Sequence, residues 1–242
     1  MRIIVVNNYE EMSRKAADMM ASQVILKPDS VLGLATGSTP LGMYKELVDR
    51  YEKEGLDFSK VTTFNLDEYY GITRENTQSY YYYMRNNLFK HINIDLQKTN
   101  IPNGSAESIE KECEEYEERI KKAGGIDIQV LGIGSNGHIG FNEPDINFEA
   151  ETHLVNLDEE TIKANSRFFN SKEDVPVKAI SMGIKTIMQS KKIILLANGE
   201  GKAEAIYETV KGKINPNTPA SILQLHNDVT IILDKNAASK IQ

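Results

Sequence analysis

The residues best suited to proton transfer lie in one glycine-rich stretch, from Leu131 to Pro144. His138 and Glu143 are close together there, and Asn136 lies just before the histidine. Glycine permits positive φ angles, and the residue before a proline favours extended backbone, so the stretch predicts a loop that can hold both side chains without a helix. A histidine beside a carboxylate can act as a general acid and base.

A second interpretation of this loop is nucleotide binding, because Gly132, Gly134 and Gly137 have the spacing of the dinucleotide-binding fingerprint. That fingerprint must open a helix, whereas the residues from Asn142 to Pro144 would interrupt one soon after it began. Nucleotide binding is therefore disfavoured. The simplest alternative is a tight turn with an incidental histidine, and the loop alone does not decide between this turn and an active site.

Further polar groups follow apolar runs elsewhere in the chain. The stretch from Thr36 to Thr39 follows one such run and precedes Pro40, which suits the first turn of a helix. Backbone N–H groups and the helix dipole favour an anion there, although a plain helix cap is the alternative. Asp67 and Lys202 also follow apolar runs, and a solvated acidic turn is the alternative for the aspartate.

The elements that must position these groups alternate between strands and helices. This alternation predicts an α/β fold with a doubly wound, mainly parallel, Rossmann-like sheet and helices on both faces. The carboxyl ends of parallel strands meet at one edge, so the polar loops are expected to lie together. The predicted strands are Ile3–Val6, Ser30–Ala35, Val61–Leu66, Ile126–Ile133, Thr152–Leu157, Lys192–Ala197 and Val229–Leu233.

The domain organisation follows from length and patterning. No fixed-period repeat and no long linker divides the 242 residues, so residues 1–242 are predicted to form a single domain. The segment at about 152–178 is surrounded by loops with little apolar content, and we expect it to move as a lid. A helix is predicted over Glu159–Phe169, with Arg167 near its end.

Composition excludes several classes of protein. With 28 Lys and Arg against 35 Asp and Glu, the net charge of −7 argues against nucleic-acid binding. No apolar run approaches the length of a membrane span, and Met1 begins no signal peptide, so a cytoplasmic protein without a membrane partner is expected. A single cysteine, Cys113, allows no internal disulfide, and a structural zinc cluster is excluded.

Four segments together closely resemble the glucosamine/galactosamine-6-phosphate isomerase family, in the family's order and over most of the chain. They are Leu32–Pro40, Phe64–Tyr69, Gly132–Pro144 and Asn165–Phe169. The resemblance implies an enzyme of amino sugar catabolism that couples aldose–ketose isomerisation to deamination. Its substrate would be a small amino sugar phosphate, D-glucosamine 6-phosphate, which reacts with water to give D-fructose 6-phosphate and ammonium. It implies neither a metal nor an organic cofactor.

The resemblance also assigns roles to the catalytic candidates. His138 would open the pyranose ring with Glu143 in its relay, and Asp67 would carry a proton between C2 and C1. Asn136 stands where some relatives have an aspartate, so its expected role is to orient the imidazole by a hydrogen bond. The remaining contacts implied are a phosphate loop, a cationic clamp and one tyrosine. They are Thr36, Gly37, Ser38, Thr39, Arg167, Lys202 and Tyr80.

Regulation is expected to differ from that of longer, hexameric relatives. Those bind an N-acetylated sugar phosphate through basic residues, but His153 and Val155 occupy the matching positions here, and the long C-terminal tail is absent. We therefore expect a monomer or a small homo-oligomer with hyperbolic kinetics.

Three other functions remain as alternatives. A 6-phosphogluconolactonase shares a Gly-His loop, but it lacks the ending from Phe141 to Pro144 and would give Asp67 no role as a base at C2. A sugar-phosphate sensor would need a DNA-binding segment that this acidic chain does not offer. A metalloenzyme that used Asp67, His138 and Glu143 would have only one histidine placed for it. Whether the substrate is the glucosamine or the galactosamine epimer is left open.

Overall fold

A parallel sheet forms the centre of the molecule. The computed structural model describes residues 1–166, 169, 171 and 174–241. The strands are β1 Arg2–Val6, β2 Val31–Leu34, β3 Thr62–Asn65, β4 Asp67–Tyr69, β5 Thr99–Asn100, β6 Ile128–Leu131, β7 His153–Asn156, β8 Lys178–Ser181, β9 Ile193–Ala197 and β10 Val229–Asp234. Seven of these described strands form the main sheet in the order β1-β10-β9-β6-β2-β3-β5, and every pair in it is parallel.

Helices cover both faces of this sheet. They are α1 Tyr9–Leu26, α2 Leu41–Glu54, α3 Tyr80–Asn87, α4 Ile109–Lys122, α5 Glu159–Asn165, α6 Ile184–Met188 and α7 Ala203–Lys211. Side chains alternate along each strand, so Val130 of β6 packs in the core beside α1 and α2, whereas Leu131 packs with Tyr116 of α4 and Ile206 of α7. The predicted doubly wound α/β fold is thereby confirmed.

A second, smaller sheet corrects the sequence prediction. The chain leaves the main sheet after β3, and β4, β8 and β7 form an antiparallel sheet in the order β4-β8-β7. Asp67 pairs with Ser181, which in turn pairs with His153. The strand predicted over Thr152–Leu157 therefore belongs to this small sheet, and β8 was not predicted. β4 and β8 contain no continuous apolar run, and they become strands by pairing with partners distant in sequence.

Other differences concern the ends of elements. Helix α4 begins at Ile109, because the Ser108 hydroxyl accepts the Lys111 N–H and caps it. Pro40 is the N-cap of α2 and not its first residue. The last strand, β10, lies between β1 and β9 inside the sheet. Among the described residues, no helix combines the length and the apolar character needed to cross a membrane.

Candidate active site

A cleft of about 210 Å³ opens at the carboxyl edge of the main sheet. It collects the loops that follow β2, β3, β6 and β9, together with residues of α3 and α5. The residues that line it are Ala35, Thr36, Gly37, Ser38, Thr39, Leu66, Asp67, Tyr80, Gly132, Ile133, Gly134, Ser135, His138, Gly140, Phe141, Thr161, Asn165 and Lys202. The expectation that several strand ends contribute to one site matches this arrangement.

His138, Glu143 and Asn136 form one hydrogen-bonded group. The imidazole Nδ1 of His138 lies 3.1 Å from Oε2 of Glu143, and Nδ2 of Asn136 donates to the same oxygen at 2.8 Å. The backbone N–H of His138 donates to Oδ1 of Asn136 at 3.2 Å. The asparagine therefore ties the carboxylate to the histidine backbone, and the carboxylate orients the ring so that its Nε2 is available to a ligand.

Glycine is required beneath this ring. A Cβ atom on Gly134 would lie 2.4 Å from Cε1 and Nδ1 of His138, so the imidazole packs directly against the glycine backbone. Gly137 adopts a φ of 86°, which favours glycine, at the turn between these two residues. No helix follows in the described stretch from residue 132 to residue 158, so the glycine spacing serves the histidine and not a dinucleotide.

Burial and ion pairing oppose one another at Glu143. Burial by itself would raise the pKa of this carboxyl, but the hydrogen bond and charge of His138 outweigh burial and lower the pKa to about 2. Thr161 and Asn136 act in the same direction. Glu143 is therefore a carboxylate throughout the neutral range and can stabilise a positive charge on the imidazole.

Two polar side chains hold the turn between His138 and Glu143. The Ser181 hydroxyl accepts the Phe141 N–H at 2.9 Å, and Nδ2 of Asn142 donates to the carbonyls of Ile139 and Met182, both at 2.9 Å. Sequence reasoning missed the role of Ser181, because it acts from β8, a strand that no local pattern indicated.

Asp67 reaches the cleft from the first position of β4. It is 6% exposed, and its Oδ2 lies 3.8 Å from the position of a Cβ on Gly140, so it faces the turn that carries His138. Burial, and secondarily the charge of Glu68, raises the pKa of Asp67 to about 8. A carboxylate with a raised pKa is a stronger base than a solvated one. The solvated acidic turn considered from sequence is not what the structure shows.

Glu68 is a second buried carboxyl that sequence reasoning gave no role. It is 2% exposed and accepts the backbone N–H groups of Tyr69, Tyr80 and Tyr81 at 2.9, 2.9 and 3.0 Å. Burial raises its pKa to about 7, against the opposing effect of these N–H groups. Its hydrogen bonds attach the start of α3 to β4 and thereby fix Tyr80 beside the cleft.

The four consecutive tyrosines separate into different environments. Tyr80 lines the cleft, and its ring lies nearly parallel to that of Phe141, with centroids 6.1 Å apart and an interplanar angle of 16°. Tyr82 is exposed, whereas the hydroxyl of Tyr83 donates to the carbonyl of Gly37. Four consecutive residues of a helix cannot share one face, which accounts for this separation.

The predicted phosphate loop lies at the N-terminal end of α2. All four of its residues line the cleft, and Gly37 has a φ of 93°. Lys202 lines the same cleft from a 3₁₀ turn, Glu200–Lys202, and the N–H of Gly199 just before that turn donates to Asp234. Arg167, the other expected cation, lies outside the described residues.

Two lining residues come from α5 and were not predicted. Thr161 and Asn165 are four positions apart, so they lie on the same face of the helix. This spacing of polar residues is the sequence signal that could have found them. The described part of the chain holds no group of three or more His, Cys, Asp or Glu side chains arranged to bind a metal ion.

Known proteins resemble this chain over nearly its whole length. The family model described as glucosamine-6-phosphate isomerases/6-phosphogluconolactonase matches residues 7–232. The chain belongs to this family. A family relative, the glucosamine-6-phosphate deaminase of Clostridium botulinum (strain Loch Maree / Type A3), is 72% identical over 241 residues, which cover 100% of this chain and 99% of the relative. The deaminase of Clostridium acetobutylicum is 68% identical over 241 residues, and the aligned region covers 100% of this chain and 100% of the relative.

Solved structures of the family agree with the fold. A monomeric glucosamine-6-phosphate deaminase superposes with a TM-score of 0.97 at 48% identity, covering 99% of this chain and 100% of that one. The 6-phosphogluconolactonase of Trypanosoma brucei gives a TM-score of 0.79 at 20% identity over 100% of this chain and 98% of its own. The second likeness shows only the shared fold.

Proposed function

We propose that this chain converts D-glucosamine 6-phosphate and water into D-fructose 6-phosphate and ammonium, as an enzyme of amino sugar catabolism. Relatives that carry the name of this activity match its whole length at up to 72% identity. The observation that carries the proposal is that Asp67 faces Gly140, in the turn that carries His138, and that a loop suited to phosphate lines the same cleft. A base for C2 and a group for ring opening thus face one ligand.

Ring opening is the task of His138. Its Nε2 accepts the proton of the C1 hydroxyl as the bond between C1 and the ring oxygen breaks, and a proton is returned to that oxygen to give the open-chain aldehyde. Glu143 stabilises the imidazolium that forms in between, because its low pKa keeps it negative. Asn136 keeps Glu143 in place through its 2.8 Å hydrogen bond.

Isomerisation is the task of Asp67. Its carboxylate removes the proton from C2 of the aldehyde while a proton of the C2 ammonium group moves to O1, which gives an enolamine. The carboxyl then returns the C2 proton to C1. The product is a protonated imine at C2, to which water adds, and ammonia leaves as the ketone forms. The raised pKa of Asp67 brings its basicity closer to that of the carbon acid, and its burial keeps the proton from exchanging with solvent.

The phosphate anchors the substrate at the other loop. The hydroxyl and glycine residues at positions 36–39 precede the N-terminus of α2, where backbone N–H groups and the helix dipole favour an anion. Lys202 supplies positive charge, and we assign Arg167 to the same clamp from its sequence motif. The clamp offsets the repulsion expected from a protein of net charge −7.

The test is a side-by-side assay on glucosamine 6-phosphate, galactosamine 6-phosphate and 6-phosphogluconolactone. We expect equimolar ammonium and fructose 6-phosphate from the first substrate, and the second defines the preference for the epimer at C4. Hydrolysis of the lactone without ammonium from either hexosamine would overturn the proposal. A substrate labelled with deuterium at C2 should retain part of its label at C1 of the product, because Asp67 is buried.

We propose further that the chain is one domain, that it works as a monomer, and that residues 152–178 form a lid over the cleft. The monomeric relative at 48% identity supports the second point, and the contribution of Thr161 and Asn165 to the cleft supports the third. Light scattering should give the mass of one chain, and kinetics should be hyperbolic. Sigmoidal kinetics relieved by N-acetylglucosamine 6-phosphate would contradict this. Cytoplasmic location stays a prediction.

A further inference from the structure

Three buried or half-buried tyrosines bind the outer side of the phosphate loop. Each comes from a different helix and donates its hydroxyl hydrogen to a backbone carbonyl of the loop or of Ala35, the residue just before it. The pairs are Tyr44 with Ala35 at 2.5 Å, Tyr83 with Gly37 at 2.6 Å, and Tyr9 with Ser38 at 2.9 Å. The three hydroxyls hold the carbonyls of residues 35, 37 and 38, so together they fix the orientation of the peptide groups in this turn.

The direction of the carbonyls determines the direction of the N–H groups. In a trans peptide, the C=O of one residue and the N–H of the next point to opposite sides, and the described backbone contains no cis peptide. The N–H groups of Thr36, Ser38 and Thr39 are therefore turned away from the three tyrosine hydroxyls. Among the described residues that line the cleft, Thr36 to Thr39 are present whereas Tyr9 and Tyr44 are not. The N–H groups accordingly face the cleft.

The peptide between Gly37 and Ser38 depends most on such support. Gly37 has a φ of 93° and carries no side chain to restrict its ψ, so its own conformation does not fix the orientation of this peptide. The hydroxyl of Tyr83 holds its carbonyl. Tyr9 holds the next carbonyl, and its oxygen also accepts the N–H of Gly42, which attaches the loop to the first turn of α2.

We propose that Tyr83 and Tyr9 are positioning residues for phosphate recognition, which hold the loop's N–H groups in the orientation that binds the anion. This inference rests on the phosphate subsite of the proposed function and goes beyond it, because neither tyrosine is among the described residues that line the cleft. A preorganised loop avoids the free-energy cost of ordering its peptides when the phosphate binds. Loss of one hydroxyl should therefore weaken phosphate binding and leave the proton-transfer groups in place.

Tyr83→Phe isolates the hydroxyl. The phenylalanine ring can keep the edge-to-face contact with Tyr44, whose centroid lies 6.5 Å away, so the core is preserved. The matched control is Tyr82→Phe, since Tyr82 is the preceding residue of the same helix and its ring is exposed. Tyr9→Phe provides a second, independent removal of a loop contact.

Inorganic phosphate is the probe that separates this inference from the assignment of the reaction. Titration calorimetry should show that phosphate binds about tenfold more weakly to Tyr83→Phe and to Tyr9→Phe than to the wild type or Tyr82→Phe. With glucosamine 6-phosphate, KM should rise by a similar factor while kcat changes less than about threefold. If ammonium is not released at all, the reaction assignment fails, but the phosphate titration still tests the tyrosines.

Two results would overturn the inference. The first is a phosphate affinity of Tyr83→Phe and Tyr9→Phe that equals that of the wild type, or a wild type that does not bind phosphate at all. The other is a fall in kcat with KM unchanged, which would indicate a general disturbance of the site. The thermal unfolding temperature of each variant should stay close to that of the wild type. If either Tyr83→Phe or Tyr9→Phe is destabilised, the other variant provides the test.

Discussion

Asp67 and Glu68 are consecutive buried carboxyls that point to opposite sides of β4. Asp67 faces the cleft, whereas Glu68 faces the start of α3 and accepts the N–H groups of Tyr80 and Tyr81. Despite this separation, the charge of Glu68 contributes, after burial, to the raised pKa of Asp67. The proposed base at C2 is therefore tuned by a residue that does not enter the cleft.

Glu68→Gln should move the pH profile. In the wild type, kcat/KM should rise with pH through the raised pKa of Asp67, about 8, because the carboxylate form is the base. The neutral amide removes a negative neighbour, so the pKa of Asp67 falls and the acidic limb should shift down by about one pH unit. Initial rates measured from about pH 5.5 to about pH 9.5, a range that includes the raised pKa of Asp67, would show the shift.

Glu75→Gln is the control for this shift, because Glu75 is exposed on the loop before α3. Its profile should match the wild type. An acidic limb that stays in place, or rises, in Glu68→Gln would contradict the coupling between the two carboxyls.

Asp67→Asn should abolish turnover and yet stabilise the fold. The pKa of Asp67 is raised above its ordinary value of 3.8, so the folded state binds a proton more tightly than the unfolded state. Stability is therefore lost as pH rises from about 4 to about 8, and an asparagine does not titrate. The stability of the variant relative to the wild type should therefore increase by on the order of 3 kcal/mol between pH 5 and pH 8.

Urea denaturation at the two pH values would measure this difference. The comparison uses the change between pH 5 and pH 8 for each protein, so a constant effect of the new amide cancels. A gain in stability that is the same at both values, or a loss at pH 8, would show that burial does not raise the pKa of Asp67.

Glu143→Gln should lower kcat by about 10²–10³ with little change in KM, because the amide cannot stabilise an imidazolium on His138. Glu143 has its pKa lowered to about 2, so its own ionisation should produce no limb above pH 4. Steady-state kinetics at pH 7.5 would measure the loss. Glu149→Gln, an exposed change in the same segment, should leave kcat at the wild-type level. Equal kcat in the two variants would remove Glu143 from the mechanism.

Gly134→Ala should destabilise the protein through His138. The new methyl group would lie 2.4 Å from two atoms of the imidazole, and an overpacked position of this kind typically costs about 1–3 kcal/mol. In a His138→Ala background that contact is gone, so the same substitution should cost less than about 1 kcal/mol. Urea unfolding of the four proteins of this cycle would give the interaction energy. Equal costs in the two backgrounds would mean that the methyl group destabilises the protein through the backbone at residue 134 and not through contact with the His138 ring.

Much of the main sheet could be predicted because its strands are continuous apolar runs. Ile193–Ala197 is buried at every position. Such an apolar run between two segments of helical periodicity indicates a parallel strand. That His138 lies on a loop was also predictable, since its glycines and Pro144 disfavour a helix, but the loop by itself left an incidental turn as the alternative to an active site. These features are local, and a single sequence contains them.

The rest depends on contacts between distant parts of the chain. The three residues of β4 become a strand only because Ser181 and its neighbours pair with them. The sequence around Asp67 is typical of a solvated turn, and its raised pKa arises from burial that no local pattern records. The tyrosine contacts to the loop likewise join α1, α2 and α3, which only folding brings together.

The small sheet has a consequence for how this scaffold can vary. Leu157 donates its N–H to the carbonyl of Val177 at 2.9 Å, at the point where the antiparallel pair β7 and β8 ends. Residues 158–176 thus leave and re-enter the fold at one place, like an insert with adjoining ends. Chain length can change between such ends at small entropic cost. The wall of the cleft that carries Thr161 and Asn165 can therefore vary in length between these ends, while Asp67 and His138 stay anchored elsewhere in the fold.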